Sequence, residues 1–148
     1  MSIPTTPRCE FDSKEMVIKL TIAIAAEVQA ITPVVDRVMD IVREMKCAEG
    51  KEGDVEVALR EALANAIIHG AQRDPAKRVE FCVACDPSIG LLIVVRDPGE
   101  GFDPAAIPSP VLGQNVFSDH GRGIFLINQL MDEVRFERGG TEIHMRKY

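Results

Sequence analysis

A chain of 148 residues with 46% hydrophobic and 27% charged side chains has the composition of an ordinary globular domain, with enough apolar material for one core. Seventeen Lys and Arg against 23 Asp and Glu give a formal charge of -6, opposite to the footprint of a general nucleic-acid binder. No apolar run reaches the roughly 20 residues of a membrane span, and no basic region followed by an apolar core marks a secretory signal, so a cytoplasmic location is the default expectation.

Residues 1–15, with Pro4 and Pro7 among scattered polar residues, read as a flexible N-terminal tail, and 16–148 as one domain. In VIKLTIAI the apolar side chains Val17, Leu20, Ile22 and Ile24 predict a half-buried strand. A helix follows in TPVVDRVMDIVREM, with Thr32 as its cap, Pro33 in the first turn, and Val34, Val35, Val38, Ile41, Val42 and Met45 at helical spacing. The glycine-containing CAEGKEGD separates it from DVEVALREALANAIIHG. There Val55, Leu59, Leu63, Ala66 and Ile67 form a second helical stripe that ends at Gly70.

Next come two β-rich runs, RVEFCVACD and GLLIVVRD, joined by Asp86-Pro87-Ser88-Ile89-Gly90 as an antiparallel hairpin. The Gly- and Pro-rich stretch that follows, PGEGFDPAAIPSPVLGQNVFSDHGRG, is too long for a plain connection in a compact domain and is expected to be functional. A third helix, IFLINQLMDEV, is entered from Gly121-Arg122-Gly123, and VRFERGGTEIHMRKY closes the chain as a hairpin turning at Gly139-Gly140. The order β-α-α-β-β-loop-α-β-β predicts an α+β two-layer sandwich, a mixed or antiparallel sheet with helices on one face.

Four cysteines, Cys9, Cys47, Cys82 and Cys85, are expected to be reduced thiols, because a domain of this size needs no staples. Cys82 and Cys85 form a CxxC within a strand, where the i, i+3 spacing directs them to opposite faces. This spacing is weak grounds for a metal or redox role.

Three segments carry candidate chemistry. Glu61 and Asn65 are one helical turn apart and project from the same face, with His69 continuing the stripe. An Asn oxygen suits Mg²⁺ alongside phosphates and waters, and a neighbouring Glu can take a proton from an attacking hydroxyl, although an exposed polar helix edge would look the same. Asp97-Pro98-Gly99-Glu100-Gly101-Phe102 ends an apolar strand. Asp97 could accept from an exocyclic amine, and Gly99 and Gly101 would admit close backbone approach and positive φ; a tight turn is the alternative. His120-Gly121-Arg122-Gly123 opens a helix, where exposed N–H groups suit an anion, while Arg122 could equally be a solvated surface arginine.

The chain lacks GxxxxGK[ST], a third glycine for a dinucleotide fingerprint, HExxH and GxSxG, so P-loop, zinc-hydrolase and acyl-transfer readings find no support.

In order, E-A-L-A-N (61–65), D-P-G-E-G-F (97–102), G-R-G (121–123) and G-G-T (139–141) resemble the N, G1, G2 and terminal Gly-Thr motifs of the GHKL (histidine-kinase-like) ATP-binding superfamily. Within it, the short chain and GRGIFLINQLMDEV are similar to the anti-sigma regulatory factors, the serine/threonine protein kinases of bacterial partner switching. The resemblance implies ATP or ADP and Mg²⁺ as ligands. It makes Asn65 the Mg²⁺ ligand, Glu61 the catalytic base, and Asp97, supported by Thr141, the reader of the adenine amine. It adds His69, Gly99, Gly101 and Phe102 to the nucleotide pocket, and Gly121, Arg122, Gly123 and Ile124 to the phosphate end. Residues 104–120 become an ATP lid, whose Ile107, Val111, Leu112 and Phe117 could cover the nucleotide.

The implied activity is phosphorylation of an anti-anti-sigma antagonist on serine and sequestration of a sigma factor, by a homodimer that engages neither nucleic acid nor membrane. Two other functions remain open on the sequence: a nucleotide-sensing protein-binding module without turnover, and a stand-alone ATPase domain.

Overall fold

The computed structural model describes residues 18–99 and 119–148. The expected tail, most of the lid, Gly101 and Phe102 lie outside the described residues. Five strands form one sheet in the order β1-β2-β3-β5-β4: β1 (Ile18–Ala25), β2 (Arg78–Asp86), β3 (Gly90–Arg96), β4 (Glu133–Glu137) and β5 (Glu142–Lys147). Every neighbouring pair is antiparallel. Among the described residues three α-helices cover one face: α1 (Ile31–Met45), α2 (Glu52–Asn65) and α3 (Asp119–Leu130). The expected α+β sandwich is the fold observed.

The two-residue period of a strand sorts the sheet residues between its faces. On the helix side Phe81, Val83, Cys85, Leu91, Ile93, Val95, Ile143 and Met145 join the helix stripes Val35, Val38, Val42 and Leu59, Leu63, Ile67 in the main core. On the other side Cys82, Ala84, Leu92 and Val94 form a smaller apolar cluster. In β1, Leu20, Ile22 and Ile24 pack against the core while Thr21 and Ala23 are exposed, as the alternation predicts.

Local details depart from the sequence reading. Thr32 does not cap α1. The helix starts at Ile31 out of a 3-10 turn, Val28–Ala30, with no side-chain cap, and Thr32 Oγ1 instead accepts from Arg60 Nη1 on α2 at 3.1 Å. The second helix does not run to Gly70 as an α-helix: it ends at Asn65, and Ala66–Gly70 form a π turn. The β2-β3 hairpin turns as expected, with Asp86 Oδ1 accepting from the Ser88 and Ile89 amides and the Ser88 hydroxyl. These bonds hold the Asp86 carboxyl below its ordinary pKa.

The expectation of reduced thiols is overturned. Cys47, in the α1-α2 connection, is disulfide-bonded to Cys85 on the helix-facing side of β2, and Cys82 on the opposite face is also disulfide-bonded. The CxxC pair points to opposite faces as predicted, so the two cysteines cannot bond each other. What the composition could not show is that the α1-α2 connection crosses directly over the end of β2.

Candidate nucleotide site

A cleft of about 580 Å³ opens between α2, the π turn, the end of β3, α3 and the β4-β5 turn. This is the size of an ordinary small-molecule site. Its apolar walls are Ala62, Ala66, Val95, Ile124, Ile127, Phe136 and Ile143; its polar groups include Asn65, His69, Gln72, Lys77, Asp97 and Thr141.

Asp97 leaves the sheet immediately after β3. Its amide donates to the Thr141 carbonyl at 2.9 Å, continuing the β3-β5 ladder by one bond, and its Oδ1 accepts from the Gly99 amide at 2.7 Å. Burial raises the carboxyl above its ordinary pKa, and the Gly99 hydrogen bond offsets that only in part. One lone-pair set is thus tied to the backbone while the group still borders the cleft, in position to accept from an amine.

Two glycines create the room for this carboxylate. A Cβ on Gly70 would run into the Asp97 side chain, and a Cβ on Gly99 would stand 2.5 Å from the Gly70 carbonyl oxygen and 2.9 Å from Asp97 Oδ1. Gly99 does not adopt the positive φ expected of it; close approach is what its lack of a side chain serves. Positive φ is found instead at Gly139 (68°) and Gly140 (91°), where the β4-β5 turn delivers Thr141 to the cleft.

The π turn has a positional consequence. Its wider backbone ends with the Ala71 amide donating to the Ala66 carbonyl and the Arg73 amide to that of Ile67, both at 2.8 Å. Gln72 and Arg73 then take left-handed φ values of 54° and 58°. π turns recur at functional sites because they redirect side chains that a regular helix would stack. Here the turn lets His69, Gly70 and Gln72 wall the cleft in succession.

Glu61 and Asn65 meet α3 at Gly123, where a Cβ would lie 3.0 Å from Asn65 Nδ2 and 3.0 Å from Glu61 Oε2. The predicted pair therefore shares one face, and the glycine of the third motif presses on both. Asn65 lines the cleft and Glu61 stands one turn away, partly buried.

The third motif lies differently from its expected place. Gly121, Arg122 and Gly123 are inside α3, which includes Asp119, rather than in front of it. Gly121 and Gly123 are buried and Arg122 is exposed, outside the described lining of the cleft; Ile124 lines it. Gly70, Gln72 and Lys77 were not singled out as site residues. Gly70 reads in sequence as a helix end, and Lys77 sits in a polar stretch with no motif; only the fold brings them to Asp97.

The sequence of residues 24–147 matches the family model described as histidine kinase-like ATPase domain. The chain belongs to that family. Within it, the chain is similar to the serine-protein kinase RsbW of Bacillus subtilis (33% identical over 106 residues, 64% of this chain and 63% of that one). RsbW of Staphylococcus epidermidis is 32% identical over 103 residues, 64% of each chain. The anti-sigma F factor of Bacillus cytotoxicus is 30% identical over 105 residues, 64% of this chain and 68% of its own. The alignments to the RsbW proteins thus span somewhat less than two thirds of their length. The likeness is to anti-sigma serine kinases of the GHKL type, as the ordered motifs implied.

The residues fit ATP and Mg²⁺. A cleft with apolar side chains on its walls and the Asp97 carboxylate in its lining suits a flat heteroaromatic base carrying an exocyclic amine. Among the described residues no cluster of three or more His, Cys, Asp or Glu could hold a metal. A Mg²⁺ site here would therefore depend on Asn65 together with phosphate oxygens and water, the ligand set this ion commonly takes.

Proposed function

We propose that the chain is an ATP-dependent anti-sigma serine/threonine kinase: it phosphorylates an anti-anti-sigma antagonist on serine and sequesters a sigma factor. The observation that carries this reading is the convergence of Glu61 and Asn65 on Gly123, with Asn65 lining the same cleft as Asp97. A base-reading carboxylate and a proton-accepting carboxylate then serve opposite ends of one ligand. The names of the similar RsbW and anti-sigma F proteins support the protein-directed activity.

Asp97 accepts from the adenine amine while the apolar walls take the base faces. Asn65 would hold Mg²⁺, which would supply charge neutralisation for the phosphates. Glu61 takes the proton from the antagonist's serine Oγ as that oxygen bonds to the γ-phosphorus; the bond from that phosphorus to the bridging oxygen breaks, and ADP leaves. Positioning and electrostatics carry most of such a transfer.

Phosphorylated antagonist no longer competes for the kinase, which then retains its sigma factor. A homodimer located in the cytoplasm completes the reading. No helix among the described residues is long and apolar enough to cross a membrane.

The test is phosphoserine formation on a purified antagonist of the anti-anti-sigma type from the same genome, followed by intact-mass spectrometry. Wild type should convert the antagonist stoichiometrically with ATP and Mg²⁺, while Glu61→Gln binds ATP but loses transfer by about 100-fold or more. Nucleotide binding without phosphoserine would replace the kinase by a sensing module. Phosphate release without any antagonist would indicate an ATPase.

A further inference from the structure

We propose that Cys47–Cys85 is a redox-responsive cross-link that sets how firmly α2 is held on the sheet. The bond joins the α1-α2 connection to β2 across a sequence separation of 38, and both cysteines are buried, at 4% and 0% exposure. The segment it closes contains all of α2 and the π turn, and therefore Glu61, Asn65 and Gly70.

Immediately before the bond the chain leaves α1 through Lys46 in a left-handed conformation, and immediately after it Lys51 starts α2 while its Nζ donates to the Tyr148 carbonyl at 2.8 Å. The cross-link joins polar ties at the start of α2, this exposed hydrogen bond, Asp54 Oδ2 3.7 Å from Lys147 Nζ and Glu56 Oε1 accepting from Arg43 Nη2 at 3.3 Å, and it alone among them is covalent and buried. Closing a loop of this length removes much of the freedom of the unfolded chain.

The oxidant is a low-molecular-weight disulfide. One cysteine thiolate attacks it and releases one small thiolate, and the second cysteine thiolate then attacks the mixed disulfide and releases the other. Two protein thiols are oxidised and one small disulfide is reduced to two thiols. Burial of both sulfurs means that exchange needs the α1-α2 connection to open, so the bond forms on folding and is lost slowly. On the cytoplasmic location proposed above, where disulfides are uncommon unless they respond to redox conditions, the pair links the state of the fold to the oxidation state around it.

The test uses the full chain folded with oxidised glutathione. Non-reducing digestion should yield a peptide pair linked through Cys47 and Cys85. Dithiothreitol should lower Tm by about 10 °C or more and speed amide exchange across Glu52–Asn65 at least tenfold. Because Cys82 is also disulfide-bonded, the same comparison is made in Cys82→Ala, where the response should persist and should vanish when Cys47→Ala and Cys85→Ala are added. Absence of the linked peptide from the oxidised protein would overturn the proposal, as would an unchanged Tm and unchanged exchange on reduction. None of these readouts depends on nucleotide, so they stand apart from the kinase reading.

Discussion

Gly123 on α3 lies directly against Asn65 on α2: a Cβ at position 123 would stand 3.0 Å from Asn65 Nδ2 and 3.2 Å from Oδ1. The same Cβ would reach Glu61 Oε2 at 3.0 Å, so one methyl group would press on both members of the candidate catalytic pair. Gly123→Ala should therefore displace Asn65 and Glu61 together. Alanine favours a helix interior over glycine by roughly 1 kcal/mol, so stability should change little. Mg²⁺-dependent ATP binding should fall at least tenfold. Calorimetric titration of a folded variant checks this, and unaltered affinity would separate the glycine from the site.

Gly70→Ala tests the other end of the cleft. Its Cβ would collide with the Asp97 side chain, which the Gly99 hydrogen bond holds in place. Overpacking of this kind costs about 1–3 kcal/mol. The variant should melt earlier and lose nucleotide binding even under conditions where it is fully folded.

Asp97→Asn separates stability from recognition. Burial raises the pKa of Asp97 in the folded chain above its unfolded value. Its favourable contribution is therefore complete below the unfolded pKa and is lost as pH rises through the folded one. At neutral pH the ionised group is a net cost that an amide would not carry, while the amide oxygen can still accept from Gly99. Asp97→Asn should be as stable as wild type or more so at pH 7, with the difference closing in acid, yet should not be stabilised by ATP. Denaturant titrations at pH 7 and pH 4, with and without ATP, read both effects.

Glu142 behaves in the opposite sense. Burial alone pushes its carboxyl up, but hydrogen bonds from Arg96 Nε and His144 Nε2, each at 2.8 Å, and the Arg96 charge bring it below the ordinary value. Its stabilisation is present above the unfolded pKa and is lost as pH falls through the lowered one. Glu142→Gln removes the carboxylate that Arg96 Nε and His144 Nε2 meet at 2.8 Å and should cost about 1–3 kcal/mol at neutral pH. The gap should narrow in acid, where the wild type also loses the carboxylate. This network lies on β3 and β5, so ATP affinity of the folded variant should be nearly unchanged.

Much of the fold was legible because each element buries one face. The period-2 pattern of β1, the helical stripes of α1 and α2, and the two hairpin turns each mark their own boundaries within a few residues. The exceptions are places where tertiary contacts decide. Thr32 has a capping side chain, but Arg60 from the neighbouring helix takes its hydroxyl. The stripe through Ala66 and Ile67 continues without a break in sequence, so nothing local announces the π turn.

At the candidate site, spacing and position at an element's end made Glu61, Asn65 and Asp97 candidates, and they were singled out through the family resemblance by the ordered motifs they belong to. Gly70 and Lys77 were not, since their role depends on which strand end the π turn meets. The disulfide was hidden for a related reason: Cys47 and Cys85 are 38 residues apart in sequence, and their meeting depends on α1 and α2 folding back over β2.

The central claim is that this cleft binds ATP with its base at Asp97 and its Mg²⁺-bound phosphates at Asn65, and a thermal-shift titration of wild type and Asn65→Ala with ATP, with and without Mg²⁺, tests it most directly. At about 100 times the dissociation constant the ligand should add roughly 2.7 kcal/mol to the stability of the wild type. The account predicts a rise that requires Mg²⁺ for its full size in the wild type and loses that dependence in Asn65→Ala. A folded wild type whose melting is unmoved by ATP and Mg²⁺ would contradict it.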